Sequence, residues 1–155
     1  MKADNLLKLG WAIAEHEAIA LGADSIEPIH FLLAALKIAD PKFPKQLDRL
    51  DISSEEWKIL SEEARRLRQW LDVLPEHVKD ARRRLRHRLA RNSEPRKAAA
   101  SLHRSRKTMA AFYDASRICN GAELTLRRVI ESMFDLEFVN VSDMRWLGET
   151  QTLQA

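Results

Sequence analysis

A single cysteine, Cys119, leaves the chain no internal disulfide, and 4 glycines and 5 prolines among 155 residues are too few for a collagenous, disordered or sandwich-like protein. The scarcity favours helices. The glycines are also too scattered for a G-x-x-x-x-G-K-S/T phosphate loop, which excludes ATP hydrolysis by these residues. Long apolar runs are missing too. Pro28 to Leu36, the longest uncharged stretch near the start, has nine residues, where about 20 are needed to cross a bilayer. Lys8, Glu15 and Glu17 interrupt the first twenty residues, so no apolar signal segment forms and a cytoplasmic protein without membrane contact is expected. At this length one domain with a real core is expected, not a multi-domain enzyme.

Charge is present in quantity and unevenly placed. The net charge of +3 conceals 15 Lys/Arg against 4 Asp/Glu between Ala64 and Lys107, leaving 11 against 19 elsewhere. The middle is basic and both flanks are acidic, and local potential of this kind steers partners more than the total does.

Apolar spacing predicts a first helix from about Asp4 to Leu21, with Leu7, Trp11, Ala14, Ala18 and Leu21 as its stripe and Gly22 as its stop. A buried second helix starts at Pro28 and ends before Asp40-Pro41, and a short turn or helix follows near Lys45 to Leu50. Ser53 with Glu56 makes a capping-box signature ahead of Trp57, Leu60, Ala64, Leu67 and Leu71. A basic helix is expected from Pro75 to about Arg91, another from about Ala98 to Cys119, then one from Thr125 to Phe134, and a last one from Ser142. Only Phe138 to Val141 alternates with period two, too briefly for a sheet. The expected class is all-α.

The chain also matches itself. At an offset of 97, Ala12–Pro28 lies over Met109–Thr125, placing Ala14 on Ala111, Glu17 on Asp114, Ala18 on Ala115 and Leu21 on Ile118. Leu32, Leu33 and Leu36 fall on Val129, Ile130 and Met133. At an offset of 89, residues 50–53 lie over 139–142 and Trp57 over Trp146. Two pseudo-twofold-related helical repeats forming one compact bundle are expected: repeat one about 4–71, an extra basic connecting helix about 75–91, and repeat two about 98–155.

The string Ala18-Ile19-Ala20-Leu21-Gly22, followed by Ile26-Glu27-Pro28-Ile29-His30-Phe31-Leu32-Leu33-Ala34-Ala35-Leu36, resembles the repeat of the Clp N-terminal domain; residues 111–133 resemble it more loosely. The resemblance spans about residues 6–57 and 109–146. It implies a non-catalytic domain that docks polypeptide substrates or adaptor proteins for an AAA+ unfoldase, either as part of one or freestanding, with the ATPase modules in cis or in trans. Some members use an acidic residue just before the His to form a phosphoarginine pocket; here the sequence register puts Ile29 and Leu126 at those positions, and an apolar side chain cannot pair with a guanidinium. In the second repeat the His becomes Arg127, followed by Arg128. Ile29, His30, Leu126, Arg127 and Arg128 are therefore the candidate docking residues.

Arg82, Arg83 and Arg86 form a separate candidate patch for an acidic partner, within a run from Lys79 to Arg91 interrupted only by Asp80. The alternative function is a nucleic-acid-binding module using this Arg-rich helix, although Trp70 is the only aromatic between Ser61 and Met109, so a base-stacking platform is absent. A solvated face is the plainer reading. No metal site, cofactor or catalytic constellation is expected. His16, His77, His87 and His103 lack ligand spacing, Glu15, His16 and Glu17 diverge around a helix, and His30, in the first turn of its helix, reads as a polar contact or core-edge residue and not as a metal ligand. Cys119, near a helix C-terminus, is expected to be inert. Trp11, Trp57, Trp70 and Trp146 read as packing residues.

Overall fold

Asp4 begins the first helix by accepting the Leu7 N–H on its carboxylate at 2.7 Å, satisfying a donor that the first turn leaves without a partner. In the computed structural model, which describes residues 4–40, 42–43, 53–71, 78–89 and 102–139, α1 runs Asn5–Ala20. It ends in a Schellman turn: Gly22 at φ 72° donates to Ile19 and Ala23 donates to Ala18, closing two of the last carbonyls. The buried surface of α1 is wider than the expected stripe, since Leu6, Gly10, Ile13 and Glu17 join Leu7, Ala14 and Ala18.

The second helix, α2 (Pro28–Ala39), has proline at its first position, where no intrahelical N–H is needed. All but two of its residues, Ile29 and Lys37, are buried. A helix apolar all round belongs in the middle of a bundle, and α2 packs against α1 and three further helices. These are α3 (Ser54–Leu71), α4 (Val78–Leu89) and α6 (Leu126–Asp135); α6 also packs on α5 (Arg106–Cys119). Arg68 on α3 donates to the Ala39 carbonyl at 2.6 Å, placing a cation at the negative end of α2. Leu60, Ala64, Leu67 and Leu71 are the buried edge of α3, as the spacing predicts.

The described residues are helical apart from turns and short isolated bridges, one of which pairs Ile26 with Arg104. That bridge corrects the expected start of α5 at Ala98. Residues 102–105 run extended, and Ser105, whose hydroxyl accepts the Thr108 N–H, delays the helix to Arg106. Ile26 donates to His103 at 2.8 Å and accepts from Ser105 at 3.0 Å, while the buried Thr108 hydroxyl adds a 2.7 Å bond to the same Ile26 carbonyl. A third long-range backbone bond joins the Asp4 N–H to the Leu124 carbonyl at 3.0 Å. The Asn120-Gly121 turn closes α5 with Asn120 left-handed at φ 46°.

No described helix is long and apolar enough to cross a membrane. The expected elements at 45–50 and from Ser142, the segments flanking α4, and Trp146 lie outside the described residues.

Candidate functional site

Two places come from the sequence: the starts of α2 and α6, and the basic helix α4. At the first, His30 is only 4 % exposed and its Nδ1 accepts the Glu27 N–H at 2.8 Å. That bond requires a neutral ring, and burial agrees by pushing the pKa down to about 4 against a weaker opposing pull from Glu27. His30 is thus the polar contact at the core edge that the sequence allows, with no surface for a partner. Leu126 is fully buried beneath α1, where its two methyls come within 3.0 Å of the position a Cβ on Gly10 would occupy. As placed, neither residue can act by docking, because neither reaches solvent. Ile29 is half-buried against the core.

Arg127 and Arg128 reach the surface but share an anion. Glu131 accepts from Arg127 Nε and from Arg128 at 2.9 Å each, and the Arg127 guanidinium lies 5.3 Å from the centre of the Trp70 ring. One carboxylate thus serves two guanidinium groups. The N-caps also revise the alignment of these helices. Glu27 and Thr125 stand 98 positions apart, not 97, because α5 runs two residues further past Ala111 than α1 does past Ala14 while the connection after it is one residue shorter, whereas Ala14/Ala111 and Ala18/Ala115 keep the offset of 97 at buried positions. Leu126 then stands opposite Pro28, Arg127 opposite Ile29 and Arg128 opposite His30.

The second place is concave. Helix α4 lies on α2 through Ala81, Leu85 and Leu89, and it directs its cations toward the end of α1. Ala20 and Leu21 form one wall of a pocket of about 450 Å³, and Lys79, Arg82, Arg83, Arg86 and His87 line the rest. The three arginines are not equivalent. Arg86 Nε lies 3.0 Å from Oε2 of Glu17, a buried carboxylate; this is an ion contact without hydrogen-bond angles, since the same oxygen has no hydrogen-bond partner. Among the described residues, Lys79, Arg82 and Arg83 have no acidic partner within ion-pair distance.

Glu17 is the member that the sequence reading missed. It was matched to Asp114, but Asp114 pairs with Arg117 on a surface whereas Glu17 sits at 2 % exposure. The signal was there: Glu17 follows Ile13 by four and Ala14 by three, so a charge falls on the apolar face and needs a counter-ion from elsewhere. Among the described residues, no group of three His, Cys, Asp or Glu could hold a metal ion. Cys119 is half-buried. Neither a family model, nor a curated protein, nor a solved structure matches this chain.

Proposed function

We propose that this chain is a non-catalytic protein-docking domain of the Clp N-terminal type, built from two pseudo-twofold-related helical repeats and serving an AAA+ unfoldase in cis or in trans. The observation that carries the reading is a reciprocal backbone exchange. Ser105, the N-cap of α5, donates to Ile26, which immediately precedes the N-cap of α2. Asp4, the N-cap of α1, donates to Leu124, which immediately precedes the N-cap of α6. Each helix pair thus gives the same donor and takes the same acceptor from the other, the pattern expected if two copies of one unit face each other across an axis. The Ile-Glu-Pro-Ile-His run, with its histidine folded back as a cap, adds local support.

Docking is then non-covalent. The cationic pocket beside α4 offers a better surface than the starts of α2 and α6, because Lys79, Arg82 and Arg83 have no acidic partner among the described residues, whereas His30 and Leu126 are buried and Arg127 and Arg128 share Glu131. The test is a chimera in which this chain replaces the N-terminal domain of a Clp-type unfoldase whose handling of a client depends on that domain. Recovered client unfolding supports the reading. A well-folded chimera with full ATPase activity and no recovered client unfolding overturns it.

A further inference from the structure

We infer that the pocket between the C-terminal end of α1 and helix α4 is the docking site for an acidic polypeptide segment that carries an apolar side chain. The inference rests on the docking reading only for taking a polypeptide as the occupant class. The charge is built in: Lys79, Arg82 and Arg83 face the concavity without acidic partners among the described residues, and Arg86 is spent on Glu17. Accessible guanidinium groups grouped in one concavity call for carboxylate or phosphate, and guanidinium matches either one with paired hydrogen bonds.

Three observations favour carboxylates on a peptide over phosphates on a nucleic acid. No Phe, Tyr or Trp lines the pocket and His87 is its only ring, so the platform on which successive bases stack is missing. One wall is Ala20 and Leu21, apolar surface that a Leu or Val side chain would cover and a sugar-phosphate backbone would not. The same wall is the negative end of α1, which has no basic residue in its last turn; a phosphodiester chain brings only acceptors to it, whereas a peptide backbone brings N–H donors.

Arg86 must be left intact in any test, since its loss would strand a buried carboxylate. The full chain is titrated at low salt with a short fluorescent peptide of alternating Glu and Leu, with the same peptide carrying Ser for Leu, and with a single-stranded oligonucleotide. Arg82→Gln/Arg83→Gln and the exposed Arg83→Gln alone are the variants, each checked for native helicity by circular dichroism. The Glu-Leu peptide binds, the double variant weakens it by about tenfold, corresponding to about 1.4 kcal/mol, the single variant by less, and the Ser peptide binds correspondingly worse. No binding of the Glu-Leu peptide, binding indifferent to both variants, equal binding of the Ser peptide, or tighter binding of the oligonucleotide at matched salt each overturns the inference. The chimera asks whether the fold serves an unfoldase; the titration asks what this pocket holds, so the two can fail separately.

Discussion

His30 accepts the Glu27 N–H only while its ring is neutral, and burial holds its pKa at about 4, down from the ordinary 6.5. A histidine pKa depressed by folding means that the unfolded chain takes up the proton first as pH falls. The stability from the neutral ring is complete above about 6.5 and drains away between 6.5 and 4, on the order of 3 kcal/mol across that window. An NMR titration of the ring is expected to show no protonation until near pH 4. His30→Asn, which can still accept the N–H but does not titrate, flattens the acid limb of the stability curve; an unchanged limb refutes the assignment. Gly10 supplies a second prediction. Gly→Ala within a helix ordinarily gains about 1 kcal/mol, but a Cβ here meets the two Leu126 methyls at 3.0 Å, and Leu126 has no exposed side to retreat toward. Gly10→Ala therefore destabilises by about 1 kcal/mol, and the loss shrinks in a Leu126→Val background; thermal melts of the double-mutant cycle decide it.

At the scale of elements, α4 is attached by a narrow apolar edge and by the contact of Arg86 with the buried Glu17, so that contact has leverage. Arg86→Ala strands the Glu17 carboxylate and is expected to cost about 2 kcal/mol, less than a fully buried pair because Arg86 is 44 % exposed. Arg82→Ala on the same helix costs under about 0.5 kcal/mol. Urea titrations that find the two equal would remove Arg86 from its structural role. Helices α1, α2, α3 and α6 were legible in the sequence because their signals are local: an Asp or Thr cap, Pro28 at a first position, Ser53 accepting from Glu56, Gly22 at the stop. The start of α5 was not, because residues 102–105 are drawn into extended backbone by Ile26, a partner far off in sequence. The site was half legible for the same reason. The arginine run and the core-edge His30 show themselves in the sequence, but nothing local tells that Arg86 answers Glu17 or that Leu126 lies beneath Gly10.

For the whole molecule, the central feature is that α2 is almost entirely enclosed, and the segments enclosing it come from both ends of the chain. Local opening cannot free the backbone bonds at Ile26 and Ser105 without parting residues 102–108 from the α1–α2 turn. Their amides are expected to exchange with solvent only through global unfolding, with protection equal to that of Leu33 in α2, whereas α4 amides exchange through a lower-energy opening. Hydrogen exchange resolved by residue measures this. Faster exchange at Ile26 than in α4 would mean that the two helix pairs are not held as one unit. During synthesis, the Ile26 carbonyl and the Thr108 hydroxyl it accepts are 82 positions apart. The ribosome therefore releases α1 and α2 with their connecting turn unmatched until residue 108 has cleared the exit tunnel.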